Sequence, residues 1–253
     1  MDEITIRECT TIEEFDSCIN LQREAFGLPD LEISPRRHLI VSRQAGGWTL
    51  GAFDGDRMVG FVHSLAAVRP NNEIYTYSHM MGVARDYQNK GVGARLKWAQ
   101  RARAMSEGRD FIKWTWDPMQ SRNAHFNLNR LGVTVHMYAA NFYGIDYDLP
   151  GEHTGVPSDR LFASWNLNSP RVAALSTGVA NTLKAQPAKK ISIPSEWSAV
   201  LRRDAQAAID MQARVRSEFQ NAFAEQLVCA GLERDTDESR YLLYRPEDLG
   251  IAD

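Results

Sequence analysis

The chain has 253 residues, of which 43% are hydrophobic and 24% charged, and its formal net charge at pH 7 is −3. This composition is typical of a globular protein with a hydrophobic core, and the length suits one large domain or two small ones. The slightly acidic balance argues against nucleic acid or an anionic membrane as a partner, so any anion site must be local. No run of about 18 apolar residues occurs, and we therefore predict no membrane span.

The cysteines predict reduced thiols and no metal site. There are three of them, Cys9, Cys18 and Cys229, far apart in the chain and without a CxxC pair. An odd number of widely spaced cysteines favours neither a disulfide framework nor a zinc site. The acidic start Met1–Glu3 does not resemble a signal peptide. We therefore expect a cytoplasmic protein.

Residues 4–83 predict the element order β-α-α-β-β-β. Thr11 and Glu14 have the spacing of a capping box at the start of the first helix. Asp54-Gly55-Asp56 is a hairpin signal between the second and third strands, so an antiparallel meander is predicted. The predicted elements are a strand over residues 4–9, a helix from 11 to about 26, a helix from about 34, and strands over 48–53, 58–68 and 73–83.

A helix, a strand, a short helix and two further strands are predicted up to residue 167, over residues 92–106, 111–116, 121–131, 133–143 and 161–167. This α/β (α+β) order predicts a mixed, largely antiparallel central sheet flanked by helices.

Residues 168–253 begin with a stretch of weak periodicity. They are interpreted as a smaller C-terminal α/β extension or second lobe, following a first domain over residues 1–167. Apolar residues recurring every three or four positions predict a helix over about 204–230, and residues 241–244 predict a strand. The helix is expected to pack either within the chain or against a second copy, as in a homodimer.

A glycine-containing turn predicts a phosphate site. Gly91, Val92 and Gly93 lie between a predicted strand and a predicted helix. Glycines allow close approach of the backbone to a ligand, and the first turn of a helix offers unpaired N–H groups and a positive dipole end. Lys90, Arg85 and Arg95 add local positive charge.

Two common phosphate motifs do not fit this turn. The dinucleotide fingerprint needs a third glycine where this chain has Leu96, and a P-loop needs Gly-Lys-Ser/Thr where it has Gly93-Ala94-Arg95. Gln88-Asn89-Lys90-Gly91-Val92-Gly93 does match the pattern Gln/Arg-x-x-Gly-x-Gly/Ala. With the element order, this motif makes residues 4–167 resemble the GNAT (Gcn5-related N-acetyltransferase) superfamily. Further residues resemble a bacterial branch of predicted GNAT proteins: Trp114–Pro118, Arg122–Ala124, Asn127 and Ser158–Arg160.

The resemblance implies an N-acyltransferase that uses acetyl-CoA, or another acyl-CoA, as cosubstrate and acts on the amine of a small molecule. It implies that the main chain of Met81, Gly82 and Val83 binds the pantetheine arm and the thioester oxygen. It also implies that the residues from Gln88 to Ala94 bind the pyrophosphate, namely Gln88, Asn89, Lys90, Gly91, Val92, Gly93 and Ala94.

The acid–base residues are less constrained by the pattern. His79 precedes the cofactor strand segment and titrates near working pH, so it is a candidate base, with a structural histidine as the alternative. Asp117 is a second candidate base, with a helix cap as the alternative. Tyr138 and Tyr143 are candidate acids, and packed strand aromatics are the alternative for both.

One family feature is missing. The tyrosine that the family often uses to protonate the leaving thiolate would fall at Leu128. Asn123 and Asn127 are predicted to hydrogen-bond the cofactor arm instead. The departure leaves open an acyl-CoA-binding sensor or structural protein without turnover. Transfer of a longer acyl chain, or to a hydroxyl, is a further alternative.

Overall fold

The protein is described from a computed structural model that covers residues 4–27, 29–145, 155–179 and 183–250. The chain divides into two compact units, Met1–Lys113 and Trp114–Asp253, called here the first and the second unit. The fold is mixed α/β with a largely antiparallel sheet flanked by helices, as predicted. Among the described residues, no helix has the length and apolar character needed to cross a membrane. The domain boundary predicted after residue 167 stays a prediction.

The first unit contains strands β1 to β4, the beginning of β5, and helices α1 to α3. Neighbouring strands follow chain order and are antiparallel, except that β4 and β5 are parallel. The elements are β1 (Thr5–Glu8), α1 (Ile12–Phe26), α2 (Arg36–Gln44), β2 (Trp48–Asp54), β3 (Arg57–Val68), β4 (Ile74–Val83), α3 (Val92–Ser106) and β5 (Phe111–Trp116).

Local signals at the ends of these elements behave as predicted. The Thr11 side chain accepts from the Glu14 N–H while the Glu14 carboxylate accepts from the Thr11 N–H, which completes the capping box of α1. Gly27 ends α1 in the left-handed conformation with φ 63°. The β2–β3 hairpin forms at the predicted Asp54-Gly55-Asp56 signal, and Asp54 pairs with Arg57. The meander can therefore be predicted from local sequence.

Helices α1 and α2 pack against each other and onto β3, and α1 also contacts β4. The core beneath them is apolar and includes two thiols, Cys9 and Cys18, both free and fully buried. A hydrogen bond with Cys9, followed by burial, raises the pKa of the Cys18 thiol far above its usual range. The members of this core are Cys9, Phe15, Cys18, Leu21, Leu39, Phe53, Met58, Phe61 and Ala84.

Helix α3 lies close to β3 because Gly60 has no side chain. A Cβ at Gly60 would lie 3.1 Å from Leu96 Cδ1 and 3.2 Å from Val92 Cγ1. Val92 and Leu96 are fully buried on the first turns of α3. This contact fixes the start of α3 relative to the sheet.

The second unit contains the end of β5, strands β6 to β10 and helices α4 to α7. Its strand order is β7-β6-β9-β10-β8, and these pairs are antiparallel. The elements are α4 (Ser121–His125), followed by a π-helical turn (Phe126–Arg130), then β6 (Thr134–Ala139), β7 (Arg160–Asn166), α5 (Pro170–Ser176), β8 (Lys189–Pro194), α6 (Trp197–Arg203), α7 (Ala205–Ala224), β9 (Val228–Arg234) and β10 (Glu238–Tyr244).

The long helix predicted over 204–230 was wrong at its C-terminal end. Helix α7 ends at Ala224, Gln226 adopts a left-handed φ of 60°, and β9 begins at Val228. The helical spacing continues by coincidence into Val228 and the residues after it, which are a continuous buried run suited to a central strand. Elements α5, β8 and α6 were not predicted.

Candidate active site

Strand β4 carries a β-bulge next to the candidate base. In the β3–β4 ladder His63 pairs with Met80 and Ser64 pairs with Ser78, so His79 is the additional residue. Strand β4 pairs with β5 at Thr76 and Tyr77, immediately before the bulge. A bulge bends a strand and ends regular pairing, and bulges are frequent beside active sites.

The predicted cofactor segment follows this bulge. Met81, Gly82 and Val83 pair with β3 along one edge of β4. Within the described part of the first unit, no ladder continues along the other edge beyond Tyr77. Alternate main-chain groups of an extended strand point to opposite edges, so this segment presents N–H and C=O groups away from β3.

The turn after β4 places an uncapped helix N-terminus beside Met81 and Val83. Gly91 is the N-cap of α3 at φ 82° and makes no side-chain cap hydrogen bond. A Cβ at Gly91 would meet nothing within 4 Å, and one at Gly93 would lie 3.6 Å from Met81 Cε and 3.9 Å from Val83 Cγ2. Packing in the first unit therefore does not require glycine at position 93. The positive φ at Gly91 does favour glycine.

Gln88 ties the turn to the end of β4. Its side-chain Nε2 donates to the Val83 carbonyl at 3.2 Å. The next residue, Asn89, has a left-handed φ of 62°, and the first α3 main-chain bond runs from Arg95 N to Gly91 O at 3.0 Å. The N–H groups of the first helical turn are the ones that an α-helix leaves without main-chain acceptors, so the turn is suited to bind an anion.

Of the three cations predicted near this turn, two have acceptors elsewhere in the first unit. The Arg95 guanidinium donates to the Ile4 carbonyl, and Arg85 Nε donates to the Glu24 carbonyl at 3.2 Å. The exposed Lys90 places Nζ 5.1 Å from the Tyr87 ring centroid. Lys90 is thus the cation most available to a ligand at the turn.

The candidate base His79 lies in a cluster with two other histidines, His38 and His63. The ring centroids of His38 on α2 and His79 on β4 are 5.5 Å apart, and those of His63 and His79 are 6.0 Å apart. Partial burial of the ring, and then the neighbouring His38, lower the pKa of His79. This favours the neutral imidazole that a base requires. In the part of the chain that is described, no group of His, Cys, Asp and Glu has the arrangement of a metal site.

A buried lysine lies next to the bulge, among polar side chains of β3, β4 and α3. Lys97 Nζ donates to Ser78 Oγ at 2.8 Å and to Gln100 Oε1 at 3.0 Å, and Gln100 Nε2 donates to Ser64 Oγ at 2.9 Å. Burial lowers the pKa of Lys97 to about 7. This network links α3 to Ser64 and Ser78, which pair with each other next to the bulge.

In the second unit, the Asp117 carboxylate accepts hydrogen bonds within a local turn. Its Oδ1 accepts from Met119 N at 2.8 Å and its Oδ2 from Gln120 Nε2 at 3.2 Å. Burial raises its pKa, against the effects of the Met119 hydrogen bond and of the Arg160 charge. These contacts lie before α4, whose N-cap is Gln120 without a side-chain cap hydrogen bond, so Asp117 does not cap that helix. The role of Asp117 as a base stays a prediction.

Tyr138 belongs to a cluster around the fully buried Asp159. Its hydroxyl donates to Asp159 Oδ2 at 2.5 Å, Arg216 donates to both carboxylate oxygens at 2.8 and 2.9 Å, and Asn141 N donates to Oδ1 at 2.8 Å. Burial, followed by this hydrogen bond, raises the pKa of Tyr138 far above its usual range. Tyr143 is exposed, and its N–H donates to Ser158 Oγ at 2.8 Å. The acid roles of both tyrosines stay predictions.

Asn123 and Asn127 lie on either side of a change in helix type. Asn123 is exposed on α4, whereas Asn127 is buried within the π-helical turn. The sequence did not predict this turn, nor the role of Asn129, whose Nδ2 donates to Leu232 O and whose Oδ1 accepts from Leu232 N, both at 2.9 Å. A single-turn π-helix is frequent at functional sites. The cofactor contacts of Asn123 and Asn127 stay predictions.

Part of the sequence matches a protein-family model. Residues 15–132 match the model of the acetyltransferase (GNAT) family. This segment belongs to the GNAT family. GNAT acetyltransferases take their acyl group from acetyl-CoA. The match includes β4, the turn at residues 88–94 and Asp117 but ends before Tyr138 and Tyr143.

Solved structures share the GNAT fold. A GNAT-family protein from Desulfovibrio desulfuricans is 14% identical, with 65% of this chain and 99% of that one covered and a TM-score of 0.53. An N-acetyltransferase from Staphylococcus aureus Mu50 is 13% identical, with 66% and 100% covered and a TM-score of 0.53. Naa20 from Chaetomium thermophilum, in complex with a bisubstrate analogue, is 15% identical, with 64% and 86% covered and a TM-score of 0.51. No curated protein matches the chain significantly.

The usual GNAT tyrosine position, Leu128, is fully buried in the π-helical turn. Sequence reasoning also missed His38 and Lys97. His38 lies on α2, far from the motif in sequence, and Lys97 resembled an ordinary surface lysine of α3. Contacts of α2 with β3 and β4 reveal His38, and a contact of α3 with β4 reveals Lys97, so no local pattern could have identified them.

Proposed function

We propose that the protein transfers an acetyl group from acetyl-CoA to the amine of a small molecule. The observation that carries this proposal is the uncapped N-terminus of α3, which stands beside a bulged β4 and begins in a turn with the family motif. The turn at residues 88–94 is assigned to the pyrophosphate, because the first-turn N–H groups and the helix dipole both favour a negative charge there.

The main chain of Met81–Val83 is assigned to the pantetheine arm and the thioester oxygen. An N–H donor aimed at that oxygen stabilises the charge that develops in the tetrahedral intermediate, which is worth about 10²–10³ in rate. Held by the strand, the thioester would meet the amine in a fixed orientation.

His79 is assigned as the base that accepts the proton of the attacking amine. As the amine nitrogen bonds to the acetyl carbon, its proton moves to the neutral imidazole, and the C–S bond then breaks to release coenzyme A. A positioned base contributes about 10²–10⁴ in rate. Asp117, Tyr138 and Tyr143 are retained as candidate acid–base groups of the second unit, and Asn123 and Asn127 as candidate cofactor contacts.

The sharpest test of cofactor binding is a charge placed in the turn. In Gly93→Glu the new Cβ has only side-chain neighbours at ordinary contact distance, and an acidic residue in the first helical turn favours helix formation. We expect coenzyme A to bind at least about tenfold more weakly, since about 1.4 kcal/mol of repulsion gives that factor.

Gly93→Gln is the matched control, because it adds the same bulk without the charge. Calorimetric titration with coenzyme A and with pantetheine, which lacks the pyrophosphate, separates the two contributions. A folded Gly93→Glu variant that binds coenzyme A as tightly as Gly93→Gln would remove the turn from the cofactor site.

The burial of Leu128 at the usual tyrosine position favours a second candidate function, a sensor that binds acyl-CoA without turnover. Release of free thiol from acetyl-CoA in the presence of a panel of primary amines distinguishes the two. Turnover supports the enzyme, whereas binding without thiol release supports the sensor. Amino-alcohol acceptors and longer acyl-CoA donors in the same assay test transfer to a hydroxyl and transfer of a longer chain.

A further inference from the structure

Two imidazoles beside the bulge have nitrogens that no described residue hydrogen-bonds. His38 Nε2 is shielded from solvent and has no hydrogen-bond partner in the described part of the chain. The described contacts of the His79 side chain are with the rings of His38 and His63, and none is a hydrogen bond. A buried polar atom without a partner is costly, so its presence indicates a function or an absent partner such as water.

The third histidine of the cluster is fixed and neutral. Ser42 Oγ donates its hydrogen to Leu39 O at 3.0 Å, so it accepts from His63 Nε2 at 3.1 Å. Thr49 Oγ1, at 2.8 Å from Nδ1, therefore donates to that nitrogen. Burial, followed by the neighbouring His79 and His38, lowers the pKa of His63 to about 3. The uncharged His63 ring thus packs against the other two rings.

The His38 ring meets the other two edge-on. Its centroid lies 5.4 Å from that of His63 at an interplanar angle of 69°, and 5.5 Å from that of His79 at 63°. His38 comes from α2 and His63 from β3, so the titratable groups that face His79 come from two elements packed against β4.

We propose that His38 is a positioning residue for His79 in the acetyl transfer. It orients the His79 ring edge-on and keeps it unprotonated until the acceptor amine releases its proton. This inference rests on the proposed function. The physical basis is that two imidazolium ions side by side would repel each other, so a proton on one ring opposes protonation of the other. His79 is exposed, so after transfer its proton leaves to solvent.

The test compares the pH dependence of kcat/KM in the parent and in His38→Phe. Phenylalanine keeps an aromatic ring in the same place and removes the nitrogens and the charge. We expect the acid limb of the profile to move to higher pH, because the neighbouring ring that lowers the pKa of His79 is gone. The KM for acetyl-CoA is expected to stay the same, since His38 does not belong to the cofactor turn.

The assay uses the full chain, acetyl-CoA and the primary amine of the panel that gives the fastest thiol release. His38→Gln is the second variant, in case His38→Phe folds poorly, and coenzyme A affinity reports on folding in both. An NMR titration of the His79 ring, assigned with His79→Gln, gives the same midpoint without turnover.

The outcomes separate this inference from the proposed function. A parent that binds no coenzyme A, or transfers no acetyl group, overturns both. A parent that transfers acetyl groups, with variants whose acid limb and His79 midpoint are unchanged, overturns the role of His38 alone. A shifted limb and a shifted midpoint with an unchanged KM for acetyl-CoA support it.

Discussion

The turn at residues 88–94 and the cluster around Asp159 differ in how their polar groups are hydrogen-bonded. At the turn, α3 starts without a side-chain cap and the Lys90 side chain is exposed. At Asp159, both carboxylate oxygens accept hydrogen bonds, from Tyr138, Arg216 and a main-chain N–H, and the carboxylate is fully buried.

The difference separates a binding role from a structural one. Buried polar groups are normally satisfied within a protein, so a closed network such as that of Asp159 holds elements in place. Donors left free at a helix N-terminus are satisfied by water or by a ligand. Changes around Asp159 should therefore alter stability, and changes at the turn should alter binding.

The largest loss of stability at pH 7 is expected for Asp159→Asn. Removing the charge leaves the Arg216 guanidinium without its bidentate partner, and breaking a buried pair costs about 3–5 kcal/mol. Because Arg216 is 28% exposed, we expect the lower end of that range, about 3 kcal/mol of unfolding free energy. Urea unfolding at pH 7 measures it.

Asp86→Asn is the control for that experiment. It removes a bidentate pair of similar geometry, with Arg57 at 2.7 and 3.0 Å, but on the surface. Surface pairs contribute little to stability. If the two variants unfold at the same urea concentration, the closed cluster is not the stabilising element that its geometry indicates.

Lys97 tests the polar network next to the bulge through pH. Its pKa is about 7 in the folded protein and about 10.4 in an unfolded chain. Between these values only the unfolded state binds the proton, so stability should rise with pH from about 7 to about 10 by up to about 1.4 kcal/mol per unit. Below pH 7 this contribution is constant.

Lys97→Met removes the ionisable group and should flatten that rise. Urea unfolding of parent and variant from pH 6 to pH 9 gives the difference in slope, with Lys90→Met as the control at an exposed lysine. Parallel curves for parent and Lys97→Met would mean that Lys97 keeps its proton in the folded state.

A smaller loss is expected for Tyr138→Phe, which removes one of the donors to Asp159. The loss of a hydrogen bond to a charged group costs about 1.5–3 kcal/mol, and the remaining donors of Asp159 limit it to about 1.5 kcal/mol. The raised pKa of Tyr138 means that the folded state keeps the phenolic proton above pH 10 while the unfolded state loses it. The parent should therefore lose stability above pH 10, and Tyr138→Phe should lose less. Equal losses in urea unfolding would contradict this assignment.

The turn could be predicted from sequence because its signals are local. The capping box of α1, the hairpin at Asp54–Arg57 and the motif at Gln88–Gly93 each depend on neighbours a few residues apart. These signals also order the elements, and the order identified the fold.

Contacts between distant residues could not be predicted in the same way. His38 and His79 are 41 positions apart in the chain, and Asp159 and Arg216 are 57 apart. Nothing in the local pattern specifies which strand or helix each one faces. The helix predicted over 204–230 extended beyond the observed end of α7 for a related reason. Leu227 and Val228 continue the helical spacing, although the chain has already turned at Gln226.

The smallest effect is expected at Lys90, the exposed cation of the turn. Lys90→Ala should weaken coenzyme A binding about two- to fivefold at low salt, since an exposed charge near a helix N-terminus contributes little. Lys90→Arg keeps the charge and should bind like the parent. Because salt screens exposed charges, the three affinities should converge at about 1 M salt, where the Debye length is about 3 Å. A loss in Lys90→Ala that persists at high salt would instead place Lys90 in direct, desolvated contact with the diphosphate, and an unchanged affinity at low salt would leave recognition to the main-chain N–H groups of α3.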